Sequence, residues 1–223
     1  MSKAKARRSN EKKLRQAVVA TARDMSFLGL SPGKTGNVSA RFGDGMLITP
    51  TALAYDKIDA DDIVMVDGDG GVAGGQLAPS SEWRFHLAAY AARLDRHALV
   101  HTHSMHATAL ACARKSIPAF HYMVAGAGGN DIPCTPYATF GTSELAAHVA
   151  AALETRDACL MANHGQIALG ETLENALALA FDIETLAEQF LKATLVGPVF
   201  ILPDDEMARM VEAFKTYGKT ATG

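Results

Sequence analysis

Three histidines have the spacing and sequence context expected of metal ligands. His101 and His103 are separated by one residue at the end of an apolar segment that predicts a β-strand. Because strand side chains alternate between faces, both rings would project from one face, with Cα atoms about 6.5 Å apart. His164 also follows an apolar segment. Three neutral imidazoles with an open fourth position are typical of a catalytic zinc site. The alternative is that His101 and His103 simply lie on a half-exposed strand.

A carboxylate and two hydroxyls lie where a helix is expected to begin. Residues 79–93 predict a helix, with Ser80 and Ser81 at its start and Glu82 in its first turn. The positive end of the helix dipole favours a carboxylate here and offers a binding place for an anion. The alternative is ordinary capping chemistry, with Glu82 complementing the helix dipole.

The loop around Lys34 resembles a nucleotide-binding P-loop in composition but not in context. Residues 29–35 read GLSPGKT, one residue short of the P-loop spacing. A P-loop follows a strand and opens a helix, whereas this loop follows a predicted helix and precedes a predicted strand, which argues against nucleotide hydrolysis. The backbone N–H groups of residues 33–37, the Asn37 side chain and Thr51 can still form an anion-binding nest. Turn chemistry alone is the alternative.

Composition and charge exclude several classes of protein. The 223 residues are 48% hydrophobic with a formal charge of −3, which is typical of one globular domain. The charge argues against a nucleic-acid-binding protein, and no apolar run approaches the roughly 20 residues of a membrane span. Three cysteines without a CxxC pair favour a reduced, cytoplasmic protein. We expect residues 1–223 to form one domain, with residues 1–9 as a disordered basic tail.

Helices and strands intermix along the chain. Helices are predicted over about residues 10–29, 79–93, 104–114, 142–154, 173–196 and 204–217. Strands are predicted over about residues 38–42, 46–49, 63–66, 98–103, 119–124 and 158–162. Tight turns between several strands require antiparallel pairs, so the prediction is a three-layer α/β/α fold with a central, largely antiparallel sheet. His86 is expected around a surface helix.

Nine ordered segments give the chain a resemblance to the class II aldolase/adducin-head family, over about residues 20–217. They are GNVS (36–39), MLITPT (46–51), PSSEWRFH (79–86), HTH (101–103), IPAFHYM (117–123), GGNDIPC (128–134), PYATFGT (136–142), HG (164–165) and FKTYG (214–218). The resemblance implies the class II aldolase fold, which is of the predicted α/β/α type.

The resemblance also implies a role for each candidate residue. Zinc, or another divalent ion in its place, would be held by His101, His103, His164 and Glu82. Glu82 would be displaceable and would double as acid and base. Phosphate would be bound by Asn37, Thr51, Ser80 and Ser81. The family further implies a fourfold-symmetric homotetramer with active sites between subunits. Tyr122 would reach the aldehyde oxygen from a neighbouring subunit, and two residues would line that end of the site: Tyr217 and Phe140.

The implied activity is reversible cleavage of a ketose 1-phosphate, such as fuculose 1-phosphate, to dihydroxyacetone phosphate and a small aldehyde such as lactaldehyde. It would proceed through an enediolate stabilised by zinc. Two alternatives within the family are a pentulose-phosphate 4-epimerase and a sugar-acid phosphate decarboxylase. A non-catalytic interaction module is a third alternative, disfavoured because all three histidines are present.

The chain departs from the family pattern in the presumed phosphate pocket. Lys34 and Thr35 replace a Thr-Ala pair, and Ala52 stands in place of a glycine. Thr35 offers a hydroxyl displaced by one position. Lys34 either contacts the phosphate directly or points to solvent.

Overall fold

A seven-stranded mixed sheet forms the centre of the protein. The computed structural model describes residues 3–216. Its strands are β1 (Asn37–Phe42), β2 (Gly45–Ile48), β3 (Val64–Val66), β4 (Ala98–Thr102), β7 (Cys134–Thr135), β8 (Ala158–Met161) and β9 (Gly165–Gly170). Their spatial order is β3-β2-β1-β4-β9-β8-β7, and every neighbouring pair is antiparallel except β7 and β8. A separate antiparallel pair consists of β5 (Ile117–Pro118) and β6 (Asp131–Ile132).

Helices cover both faces of the sheet. One face packs against α2 (Trp83–Ala92) and α4 (Ser143–Leu153). The opposite face packs against α1 (Lys3–Phe27), α3 (Met105–Cys112) and α5 (Leu173–Val196). The last helix, α6 (Asp204–Thr216), lies against a 3-10 helix over Tyr122–Ala127. The predicted three-layer α/β/α fold with a mostly antiparallel sheet is confirmed.

The period-two alternation of the strands divides the core into two clusters. In β4, Leu99 belongs to the cluster under α2 and α4, whereas Ala98 and Val100 belong to the cluster under α1, α3 and α5. By the same alternation His101 and His103 project toward the α2 and α4 side. Strand β4 therefore places both imidazoles on the side of the sheet that α2 and α4 cover.

The first helix begins earlier than predicted. We expected residues 1–9 to be a disordered tail, but α1 already includes Lys3 and continues without interruption to Phe27. The tail prediction was wrong for residues 3–9 because lysine, alanine and arginine are good helix formers and extend a helix that is anchored further along. Val18, Ala22 and Met25 supply that anchor by packing in the core.

Other elements differ from the prediction, among them the short strands β5, β6 and β7, which were not predicted. Residues 119–124 do not form a strand; the 3-10 helix begins at Tyr122, where the His121 ring accepts a hydrogen bond from the Met123 backbone N–H. Strand β9 was not predicted, because it is bounded by glycines and carries the polar residue Gln166. Within residues 3–216, no helix is long and apolar enough to cross a membrane.

Candidate active site

The three predicted histidines converge in space. His101 Nε2 lies 3.0 Å from His103 Nε2. One ring nitrogen from each of His101, His103 and His164 lies within 4.8 Å of the others. The rings meet edge to face, with centroids 4.8 to 5.0 Å apart. The nitrogens therefore surround one common space, as the ligands of a single cation do.

His164 reaches the cluster from the tight turn between β8 and β9. Asn163 holds the left-handed backbone conformation of that turn, with φ +56°. Gly165 is required next to His164, because a Cβ at that position would lie 2.3 Å from the Thr102 carbonyl oxygen and 2.9 Å from the His103 ring. The HG pair of the sequence thus allows β9 to approach the other two ligands closely.

Glu82, the residue that directly precedes α2, completes the cluster. Its Oε1 lies 3.0 Å from His164 Nε2, and its Oε2 lies 3.3 Å from His101 Nε2. Burial of the carboxylate raises the pKa of Glu82, but the neighbouring His101 and His164 rings outweigh burial, and its pKa lies below the usual value. The carboxylate is therefore ionised at neutral pH.

Hydrogen bonds and burial prepare two of the rings as metal ligands. The Gln166 carbonyl oxygen lies 2.8 Å from His101 Nδ1. A carbonyl only accepts, so Nδ1 carries the hydrogen and Nε2 presents its lone pair to the cluster. Burial, followed by the nearby His101 and His164, lowers the pKa of His103 to about 3. A neutral ring is the form that binds a metal.

This set of donors fits a divalent cation. Three imidazole nitrogens and one carboxylate are ligands that zinc accepts, and other first-row metals share that preference. Glu82 Oε1 is buried and makes no hydrogen bond among the described residues, although it faces His164 Nε2. A buried carboxylate oxygen without a hydrogen-bond partner, facing an imidazole nitrogen, is an environment that a cation would stabilise.

The cluster opens into a cavity of about 340 Å³. His103, His164 and Glu82 lie on its wall, and His101 is fully buried behind them. The structure brings together in this cavity all of the predicted substrate-binding residues: Lys34, Thr35, Asn37, Thr51, Ala52, Ser80, Ser81 and Phe140. Tyr122 does not line the cavity of its own chain and is 49% exposed. Tyr217 lies outside the described residues.

The loop that precedes β1 packs closely against the histidine cluster. Gly36 has φ +74°, and a Cβ there would lie 2.5 Å from the His101 carbonyl oxygen, so only glycine fits. The buried Tyr55 hydroxyl donates to the Gly36 carbonyl oxygen at 2.6 Å and lies 3.2 Å from the Thr35 carbonyl oxygen. These contacts hold the loop over residues 34–36 at one wall of the cavity.

The hydroxyls in the cavity differ in their freedom to bind phosphate. Ser80 Oγ accepts hydrogen bonds from Asn37 Nδ2 and the Glu82 backbone N–H, so its own hydrogen is free to reach a ligand. Thr35 already donates its hydroxyl hydrogen to the Pro32 carbonyl oxygen. Asn37 directs its amide hydrogens to Ser80 and to Glu82, at 3.0 and 2.8 Å. Phosphate binding by the Asn37 side chain therefore stays a prediction.

Ala52 has a backbone conformation that glycine adopts more readily than alanine. Its φ is +58°, in the left-handed region. A non-glycine residue there costs about 1–2 kcal/mol. The glycine that the family resemblance implies at this position would avoid that cost, whereas this chain carries a methyl group there.

One histidine near the site lies in a different environment from the predicted one. His86, expected around a surface helix, is fully buried. Its ring lies 2.5 Å from Asn37 Oδ1 and 2.7 Å from Ser39 Oγ. A signal was present in the sequence, because His86 lies four residues after Glu82 and therefore on the same face of a helix. Asn163 and Tyr137, which also line the cavity, were not among the predicted site residues.

Comparisons with known proteins agree with this geometry. A family model for the Class II Aldolase and Adducin N-terminal domain matches residues 16–191. An L-fuculose phosphate aldolase of Escherichia coli (strain K12) is 52% identical over 207 residues, covering 92% of this chain and 96% of its own. A 5-methylthioribulose-1-phosphate/5-deoxyribulose-1-phosphate aldolase of Rhodospirillum rubrum is 51% identical over 208 residues, covering 93% and 94%.

The fold agrees with that of a solved relative. The structure of an L-fuculose 1-phosphate aldolase superposes with a TM-score of 0.88 and 40% sequence identity, covering 91% of this chain and 96% of that one. The family model's match, over residues 16–191, includes the elements that carry the histidines and Glu82. The chain therefore belongs to the class II aldolase and adducin N-terminal domain family.

Proposed function

We propose that this protein is a metal-dependent aldolase that reversibly cleaves a ketose 1-phosphate to dihydroxyacetone phosphate and a small aldehyde. Fuculose 1-phosphate, which would yield lactaldehyde, is one proposed substrate. The supporting observation is that a cluster of three histidines and an ionised carboxylate lies at the wall of a cavity that is also lined by the loop over residues 34–37 and by Ser80 and Ser81 before α2. Zinc as the metal and the cytoplasm as the location stay predictions.

The phosphate group would bind at the end of the cavity formed by residues 34–37, Thr51, Ser80 and Ser81. Ser80 and Ser81 lie just before α2, where the helix dipole favours an anion. Lys34 adds a positive charge on the same wall. With the phosphate held there, the three carbons that become dihydroxyacetone phosphate would lie next to Glu82.

Glu82 would act as the acid and base. In the condensation direction its ionised carboxylate would take the proton from the carbon of dihydroxyacetone phosphate that forms the new bond, and cleavage would return it. A positioned carboxylate of this kind typically contributes about 10²–10⁴-fold. A divalent cation held by His101, His103 and His164 would supply Lewis-acid stabilisation of the negative charge that develops on a substrate oxygen. No lysine is assigned a covalent role.

A substrate panel tests the proposal. Metal-loaded protein is incubated with fuculose 1-phosphate or 5-deoxyribulose 1-phosphate, because relatives of almost equal identity carry both substrate names. Release of dihydroxyacetone phosphate is followed by coupled oxidation of NADH. We expect triose release from at least one of the two. Carbon dioxide from a sugar-acid phosphate, or an epimer from a pentulose phosphate, with no triose release from either ketose would overturn the proposal.

The Lys34→Ala variant tests the phosphate pocket. If the ammonium group contacts the phosphate, we expect KM for a ketose 1-phosphate to rise about tenfold, with kcat nearly unchanged. Lys57→Ala, a loop lysine outside the cavity, serves as the control. An unchanged KM for Lys34→Ala would mean that the side chain points to solvent.

The implied homotetramer is also a proposal. Tyr122 stacks on His121 and Phe214 of its own chain, away from the cavity. A role at the aldehyde oxygen therefore needs a second copy of the chain. Apolar side chains at Phe27 and Phe200 are each 90% exposed, which is the kind of surface that subunit contacts cover.

Subunit mixing tests whether sites are shared. Tyr122→Phe and Glu82→Gln chains are each expected to be weakly active alone in aldol cleavage. In co-expressed hybrids, a site that takes Glu82 from one chain and Tyr122 from its neighbour is intact, so about a quarter of the wild-type activity should return. Hybrids no more active than the mean of the two parents would contradict a site built between subunits.

A further inference from the structure

A stripe of polar residues on α2 and the residue before it matches a polar face on β1. Glu82, His86 and Tyr90 are four residues apart, so they lie on one side of the helix. Asn37 and Ser39 are two residues apart, so they lie on one face of the strand. Side chains from the helix side and from the strand alternate along one series of hydrogen-bond contacts, and all five side chains are buried.

The hydrogen-bond distances form an unbroken chain from Tyr90 to Glu82. The Tyr90 hydroxyl lies 2.8 Å from Ser39 Oγ, and Ser39 Oγ lies 2.7 Å from His86 Nδ1. His86 Nε2 lies 2.5 Å from Asn37 Oδ1, and Asn37 Nδ2 lies 2.8 Å from Glu82 Oε2. Every member has polar partners within the chain, as buried polar groups require.

The Asn37 amide sets the direction of every donor. Its Nδ2 donates to Ser80 Oγ and to Glu82 Oε2, so its oxygen faces His86. An amide oxygen has no hydrogen, so His86 Nε2 carries one. Burial, followed by the nearby His101, lowers the pKa of His86 to about 3, so the ring is neutral and Nδ1 accepts. Ser39 then donates to Nδ1, and Tyr90 donates to Ser39.

We propose that His86 is a positioning residue that selects the orientation of the Asn37 amide and, through it, holds the Glu82 carboxylate in place. The inference rests on the proposed function in taking Glu82 as the acid and base. With the donor of His86 removed, the Asn37 amide can rotate by 180° and bring its oxygen against Glu82 Oε2, where two acceptors repel each other. Asn37 would also lose its hydrogen bond to Ser80.

The hydrogen-bond chain from Tyr90 to Glu82 orients the carboxylate but does not conduct its proton. An amide nitrogen does not accept a proton at neutral pH, so Asn37 separates the carboxylate from the neutral imidazole of His86. This hydrogen-bond chain therefore gives a proton taken from the substrate no path from Glu82 to His86. This separates the role of His86 from that of a general acid or base.

Which atom donates in each of these hydrogen bonds can be tested on wild-type protein that is loaded with metal but holds no substrate. With 15N-labelled histidine, long-range 1H–15N spectra report which ring nitrogen carries the hydrogen, and the missing signals of the His86→Phe variant assign the His86 ring. We expect a neutral His86 ring protonated at Nε2 at neutral pH. A ring protonated at Nδ1, or at both nitrogens, would overturn the inference. This result does not depend on whether the protein cleaves a ketose 1-phosphate.

Kinetics test the consequence for Glu82. His86→Phe keeps a ring but removes both nitrogens, whereas His86→Gln restores a donor near the Nε2 position. We expect His86→Phe to lower kcat, and the exchange of the dihydroxyacetone phosphate proton with deuterated water, by about 10- to 100-fold. KM should stay within about threefold. His86→Gln should recover most of the loss.

A matched control separates positioning from general destabilisation. Val149→Ala removes buried volume from the same cluster under α2 and α4 without touching the hydrogen-bond chain. It should lower the unfolding midpoint and leave kcat within about twofold. If His86→Phe has no larger effect on kcat than Val149→Ala, or if His86→Gln is as slow as His86→Phe, the positioning role is wrong.

Discussion

The Glu82→Gln variant is expected to lower kcat by about 10²–10⁴-fold in both the cleavage and condensation directions. The amide is nearly the same size as the carboxylate but cannot accept a proton from carbon. The fold should persist, because the substituted amide keeps an oxygen for the hydrogen bond from Asn37, whose Nδ2 lies 2.8 Å from Glu82 Oε2. The measurement is kcat together with exchange of the dihydroxyacetone phosphate proton with deuterated water, which should be lost.

A matched substitution provides the control for this prediction. Glu82 directly precedes α2, and Glu144 likewise lies near a helix start, in the first turn of α4, but its side chain is 72% exposed and lies outside the cavity. Glu144→Gln should therefore exchange the proton at the wild-type rate. Wild-type exchange in Glu82→Gln, with metal still bound, would remove the carboxylate from its assigned role.

The His101→Ala variant is expected to lose the metal and the activity together. His101 is the fully buried member of the cluster, with Nδ1 bonded to the Gln166 carbonyl and Nε2 facing His103. Removing the ring deletes one of three imidazole donors and leaves a cavity that alanine does not fill. Loss of even a hydrogen-bond partner of a ligand costs about 10–100-fold in metal affinity, so loss of the ligand itself should exceed that.

Metal content and activity are measured in parallel. His97→Ala changes an exposed histidine just before β4 and should keep the wild-type metal content and kcat. Added zinc at high concentration should restore part of the activity of His101→Ala if the variant is folded. Wild-type metal content and activity in His101→Ala would show that the cation lies elsewhere or that the reaction does not need it.

Much of the fold could be predicted because local periodicity determines it. The alternation of side chains in β4 correctly assigned His101 and His103 to one face, and the long apolar helix over residues 173–196 was predicted with the bounds that the structure has. Strand β9 was missed because Gly165 and Gly170 are selected by close packing against other elements. That packing is a tertiary property, which no local pattern contains.

The candidate site was predictable to the extent that its residues lie at strand and helix ends. His164 and Glu82 were singled out on that ground, and the structure places them 3.0 Å apart. His86 was misplaced because one histidine in a helix is most often at the surface, and its burial depends on contacts with Asn37 and Ser39 of a distant strand. Those partners become visible only when β1 and α2 are docked.

The contribution of other subunits could not be derived from the residues. Tyr122 is half-exposed in its own chain, and nothing in its local sequence distinguishes a tyrosine that serves a neighbour from one that faces solvent. Its role came from the family resemblance alone and stays a proposal, as does the fourfold symmetry.

The most direct test of the central claim is a crystal structure of the zinc-loaded protein with an anomalous difference map recorded at the zinc edge. The account predicts one strong peak per chain, about 2.0–2.1 Å from a ring nitrogen of each of His101, His103 and His164. No peak among these three rings, or a peak at other residues only, would contradict it.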